Sequence, residues 1–136
     1  MTAIHMSELA EPYIRRKAQK HLSKKRIVIF AGGTGNPFFT TDTAAALRAR
    51  EVGCSIVLKA TKVDGVYSED PDKNSKATRY AKIRYLDVIA KGLQVMDATA
   101  ITMCMESKLP ILVFKLSNQG STLAVLRDNS LGTLVS

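Results

Sequence analysis

Tryptophan is absent from these 136 residues, and histidine and cysteine occur only twice each. No apolar run approaches the ~20 residues of a membrane span. Each scarcity excludes something. His5 and His21 stand alone, so there is no HExxH zinc motif, and both are expected at the surface. Cys54 and Cys104 lack CxxC or CxxH spacing; they read as buried free thiols in a reducing compartment, with a disulfide or metal site as the alternative. GxSxG, paired glutamates, GxxxxGK[ST] and GxGxxG are all missing, so neither an activated serine nor a generic nucleotide fingerprint is available. The start, MTAIHMSELAEPYIRR, has no apolar signal-peptide core. These exclusions point to a soluble cytoplasmic protein.

What remains is a chain with 46% hydrophobic residues, enough for one packed domain over residues 1–136. Its net charge of +8 is concentrated in Pro12–Arg26, where Arg15, Arg16, Lys17, Lys20, Lys24, Lys25 and Arg26 have no acidic neighbour. Such a cluster can bind nucleic acid. No aromatics are interleaved to stack bases, so a solvated helix face is the plainer reading and nucleic acid the lesser one.

Along the chain, Ser7 reads as an N-cap for a helix from about Glu8 to Leu22, with Leu9, Tyr13, Ile14, Ala18 and Leu22 on one face. Ile27–Phe30 reads as a continuous apolar strand of the buried, parallel type. Asp42 or Thr41 should cap a helix to about Glu51 that ends at Gly53. Ser55–Ala60 is the next strand, and Ile83–Tyr85 a short one. Leu86–Lys91 and Ala98–Ser107 read as helices, Ile111–Phe114 as a strand and Ser117–Ser121 as a turn. Thr122–Arg127 is helical and Gly132–Val135 closes as a strand. Strands alternating with helices through short connections predict an α/β fold with a parallel sheet.

The stretch FAGGTGNPFFTTDTAAALR (Phe30–Arg48) runs from an apolar segment through glycines into a helix. Glycines admit close backbone approach, and the first turn of a helix offers unpaired amides to an anion. Thr34, Gly35, Asn36, Thr40 and Thr41 suit phosphate oxygens, and Phe38 and Phe39 suit the apolar face of a base or ribose. Asp42 and Asp97 could orient cationic groups or Mg²⁺-bound water. The loop Thr61–Asp70 follows the next strand, on the edge where open α/β sheets hold ligands. A purely structural reading, a tight turn with two core phenylalanines and a capped helix, stays open at this level.

GTGNPFFTTD (Gly33–Asp42), AAALRA (Ala44–Ala49), LKATKVDGVY with a following DP (Leu58–Tyr67, Asp70-Pro71), VMD (Val95–Asp97), LPI (Leu109–Ile111) with VF (Val113-Phe114), and GTLV (Gly132–Val135) together resemble bacterial uridylate kinases of the amino-acid-kinase superfamily. The resemblance implies a three-layer αβα sandwich of the carbamate-kinase-like type with a mainly parallel sheet. It implies phosphoryl transfer from ATP, with Mg²⁺, to UMP, giving UDP for pyrimidine nucleotide synthesis. Thr34, Gly35, Asn36, Pro37, Phe38, Phe39, Thr40 and Thr41 would line the UMP site. Thr61, Tyr67 and Asp70 would contact ATP, with Asp42 and Asp97 at the transfer centre. A homohexamer with GTP and UTP as effectors is also implied.

That family carries a further N-terminal portion with a lysine-and-glycine phosphate loop, a second glycine-rich loop and an acidic residue for the UMP ribose. Nothing in Met1–Arg26 replaces them. The expectation is therefore the C-terminal portion of such a domain, truncated at the N-terminus and inactive or nearly so alone. The alternatives are a non-catalytic nucleotide-binding or regulatory remnant, and a nucleic-acid-binding protein using Arg15–Arg26.

Overall fold

Apolar β-branched residues in short runs form the centre of the protein. The computed structural model describes residues 1–116 and 121–136. Val57–Thr61 (β1), Lys82–Ile83 (β2), Ile111–Lys115 (β3) and Gly132–Val135 (β4) make one sheet in the order β1-β3-β4-β2. β1 pairs with β3, and β2 with β4, in parallel; β3 and β4 are antiparallel, so one reversed joint links two parallel pairs.

β3 is buried from Ile111 to Phe114, as a central strand covered on both faces must be. Its alternating side chains enter two separate cores. Ile111 and Val113 pack with Ala46 and Ala49 of α2 (Thr41–Val52), Val88 of α3 (Tyr85–Ala90), and Ala100, Ile101 and Cys104 of α4 (Ala98–Glu106). Leu112 and Phe114 pack on the other side with Val125 of α5 (Ser121–Arg127), Ile56 and Leu58. Helices on both faces of a mainly parallel sheet give the expected three-layer α/β arrangement. A single 3₁₀ turn, Asn129–Leu131, leads into β4.

The sequence-derived boundaries hold within two residues for α2, β1, α3, α4, β3, α5 and β4. Gly53 ends α2 in the left-handed conformation, φ 80°, that a Cβ would penalise. Of the expected Ser117–Ser121 turn, residues 117–120 lie outside the described residues.

Four readings are corrected. The first helix, α1, covers only Arg15–Ser23 and has no side-chain cap. Residues before it are drawn off by Thr2, whose amide donates to the Glu11 carbonyl while its own carbonyl accepts from Tyr13 N–H. Ile27–Phe30 is not a strand of the main sheet. Among the described residues the Ile29–Ala31 backbone bonds only to Met1 and Ala3, and Ile27 and Ile29 are 94% and 76% exposed. An apolar run is buried only where something covers it; Phe30 packs against Tyr13, and among the described residues nothing covers Ile27 and Ile29. Cys54 is exposed beyond Gly53, whereas Cys104 is buried as expected. His21 is partly buried against Glu11 (Nε2 to Oε2 3.0 Å) rather than free at the surface, while His5 is exposed.

Candidate active site

Two helices begin side by side. α2 is capped by the Thr40 side chain, which accepts from Thr43 N–H at 3.2 Å. The cap is thus one residue earlier than Thr41 and two earlier than Asp42, because a cap must lie outside the helix and accept from its third residue. α4 is capped by Asp97, whose Oδ1 accepts from Ala100 N–H at 2.9 Å. The caps are joined: the Thr40 hydroxyl donates to Asp97 Oδ2, and the buried Thr43 hydroxyl donates to the same carboxylate at 3.1 and 3.2 Å.

Burial alone would raise the Asp97 pKa. The Thr40 and Thr43 hydroxyls and the Ala100 and Thr99 amides outweigh it and hold the carboxyl below the ordinary 3.8. A carboxylate depressed by folding contributes stability present above its unfolded pKa and lost as pH falls through the folded value. Asp97→Asn should therefore flatten the acid limb of stability against pH in urea titrations; an unchanged acid limb would refute this linkage.

Asp42, in the first turn of α2, forms an ion pair with Lys59 of β1. Both side chains are partly buried, at 22% and 28% exposure, so the pair is screened less than a surface one. The two helix starts are thus joined through Asp97, and Lys59, the middle residue of β1, is tied to the α2 start by Asp42. The amides of the two first turns favour anions, and the Asp97 carboxylate already takes part of that field. The glycine loop precedes α2. Gly35 N–H bonds back to Gly32 carbonyl at 3.1 Å, and Thr34 Oγ1 accepts from Asn36 N–H at 3.1 Å, closing a compact turn. Phe38 is fully exposed with φ 68°, a strained backbone for an aromatic residue, and Phe39 is 53% exposed, so neither is a core residue. Pro37 and Thr41 are also exposed.

A cleft of about 620 Å³ is lined among others by Thr61, Tyr67, Asp70, Lys91, Leu93 and Val95. The Tyr67 hydroxyl donates to Asp64 Oδ1 at 2.7 Å. That bond is the chief cause of the raised Tyr67 pKa and of the lowered Asp64 pKa. Asp70 Oδ1 accepts from Asp72 N–H at 3.0 Å and folds the loop's end. Thr34–Thr41 do not line the cleft. The link is covalent: Lys59 lies two residues before Thr61 on β1, and Asp97 two residues after Val95.

Thr43, Lys59, Asp64 and Arg48 were missed from sequence. A lone lysine in the apolar run SIVLKA, and a threonine three residues after a capping threonine, were the available signals. Arg48 gave none. It is 8% exposed, spans from Glu51 (Nη1 to Oε2 2.7 Å) to the Gly33 carbonyl (Nη2, 3.3 Å), and lies 3.8 Å over the Tyr13 ring. It fastens the glycine loop to α2. Among the described residues no group of three or more His, Cys, Asp or Glu could hold a metal ion.

Comparison with known proteins agrees with this architecture. The chain is 37% identical to the UMP kinase of Ureaplasma parvum, with TM-score 0.95, covering 100% of this chain and 58% of that one. It is 40% identical to the UMP kinase of Bacillus anthracis, with TM-score 0.95 and coverage of 99% and 56%. The uridylate kinase of Archaeoglobus fulgidus gives 30% identity and TM-score 0.71, covering 92% and 59%. The chain therefore spans less than three fifths of each of these proteins. Residues 4–115 match the family model of the amino acid kinase family, and the chain belongs to that family.

Proposed function

We propose that this chain carries two substrate walls of a UMP kinase, an enzyme that moves the γ-phosphate of ATP to UMP and yields UDP. The observation that carries the reading is the joining of the α2 and α4 starts through Thr40, Thr43 and Asp97, with Asp42 paired to Lys59 two residues before Thr61 of the Tyr67 cleft. Phosphoryl transfer needs positioning and neutralisation of charge more than covalent chemistry from the protein. In this reading Thr34–Thr41 hold UMP, and Thr61, Tyr67 and Asp70 hold ATP, which brings Mg²⁺ as part of the substrate complex. Asp42 orients Lys59 toward the transferring phosphate. Asp97 fixes the Thr40 and Thr43 hydroxyls at the junction. A cytoplasmic homohexamer responsive to GTP and UTP belongs to the same proposal.

The described residues hold no lysine-and-glycine phosphate loop like the one the family resemblance implies. Loss of such an electrostatic clamp costs several kcal/mol of transition-state stabilisation. We therefore expect little or no turnover from the 136-residue chain alone. A coupled UDP-formation assay with UMP and Mg-ATP tests this. Signal at background is the expected result, and robust turnover would overturn the inactivity.

A further inference from the structure

The arm that carries Tyr67 into the cleft is held from behind. Residues 66–68 run against residues 78–80 as a short antiparallel ribbon. Ser68 N–H donates to the Thr78 carbonyl at 2.9 Å, and Tyr80 N–H to the Val66 carbonyl at 2.8 Å. Tyr67 and Arg79 are the residues directly opposite each other between those two bonds. In such a non-hydrogen-bonded pair the side chains share one face and lie close. Tyr67 lines the cleft, whereas Arg79 and Asp64 do not.

One guanidinium gathers three stretches of chain. Arg79 Nη1 donates to the Gly132 carbonyl at 2.9 Å and to the Asp64 carbonyl at 3.4 Å, and Nη2 donates to the Ser130 carbonyl at 3.3 Å. Nε lies 3.7 Å from Asp64 Oδ2, while Asp64 Oδ1 accepts from the Tyr67 hydroxyl at 2.7 Å. The Arg79 stem lies over Gly65, where an added Cβ would come within 2.9 Å of Arg79 Cδ. Asp64 is 51% exposed, so the ion pair by itself contributes little stability. What the fork supplies is direction. It fixes Asp64 at both carbonyl and carboxylate, and Asp64 fixes the phenol. The Tyr67 bond first, and the Arg79 charge after it, lower the Asp64 pKa and keep it an acceptor.

We propose that Arg79 is the positioning residue of this cleft: acting through Asp64, it locks the Tyr67 ring in one pose on the wall, ready for the flat ring of a ligand. That the ligand is ATP rests on the function proposed above; the lock rests on geometry alone. Ordering a contact side chain in advance removes the cost of ordering it on binding.

The test follows the Tyr67 side chain and nucleotide binding in the 136-residue chain by NMR. Wild-type Tyr67 should show the Hα–Hβ couplings of a single χ1 rotamer. Arg79→Met keeps the stem over Gly65 and removes the fork. It should average those couplings and weaken Mg-ATP binding about tenfold, with UMP binding unchanged. Arg79→Lys keeps the charge near Asp64 but cannot fork to the carbonyls, and should fall between the two. Asp64→Ala should match Arg79→Met, and the double variant should be no worse than either, as groups acting in series require. Arg84→Met, which removes an exposed arginine from its pair with Asp87, should change nothing. A single Tyr67 rotamer retained in both Arg79 variants would overturn the proposal. So would an equal weakening of UMP and Mg-ATP, which marks general loosening. If the wild-type chain binds no Mg-ATP, the nucleotide reading falls and the Tyr67 couplings alone decide the lock.

Discussion

Replacing Arg48 by methionine should cost the fold about 3 kcal/mol. The substitution keeps most of the apolar stem and removes the guanidinium. Glu51 then loses its ion-pair partner, the Gly33 carbonyl loses its donor, and the Tyr13 ring loses the cation stacked on it. Breaking a buried pair by removing one member costs about 3–5 kcal/mol, and the lower end applies because the Glu51 side chain is 29% exposed. Glu51 also accepts from the Tyr13 hydroxyl at 2.6 Å, and its carbonyl accepts from Arg15 Nε at 2.6 Å. The loss therefore reaches α1 as well as the glycine loop. Arg48→Lys should recover only part of the stability, since an ammonium cannot fork to both Glu51 and Gly33. Urea denaturation measures both variants. A change within about 0.5 kcal/mol for Arg48→Met would show that the network contributes little net stability.

Gly132→Ala should be comparably severe. Gly132 opposes Phe114 in the antiparallel joint between β3 and β4, and an added Cβ would lie 2.5 Å from the Val113 carbonyl oxygen. That oxygen belongs to the backbone of a central strand and cannot move aside as a flexible side chain would. Overpacking typically costs about 1–3 kcal/mol, and a backbone clash belongs at the upper end. The position also matters topologically, because this joint is where the two parallel strand pairs meet. We expect a lowered urea midpoint with retained slope; an unchanged midpoint would mean that β4 shifts at little cost.

The sheet was legible because its strands are self-evident in composition. ILVF and GTLV are short, apolar and bounded by Pro110, Gly132 and polar turns, so local pattern and tertiary burial agree. Ile27–Phe30 carries the same local pattern and has a different fate, because burial is a property of neighbours and the run itself does not encode them. The first helix misled for a related reason. Ser7 and the apolar spacing of Leu9, Tyr13 and Ile14 look helical, but backbone pairing of Thr2 with residues 11 and 13 competes for that segment and wins.

In the candidate site, the polar loop and the two aspartates stood out as residue types with anion chemistry. Lys59 and Thr43 did not, since each matters through a partner distant in sequence: Asp42, 17 residues before Lys59, and Asp97, 54 residues after Thr43. Arg48 was hidden altogether. A helical arginine followed three residues later by glutamate reads as a solvated pair, and only the packed Tyr13 ring shows it to be interior.

The proposal of two substrate walls meets its most direct test in amide NMR of the 136-residue chain titrated separately with UMP and Mg-ATP. UMP should shift the amides of residues 34–36 and 38–41, and Mg-ATP those of Thr61, Tyr67 and Asp70, with each set little affected by the other ligand. Shifts from both nucleotides scattered over the basic α1 surface, with these two loops silent, would contradict it.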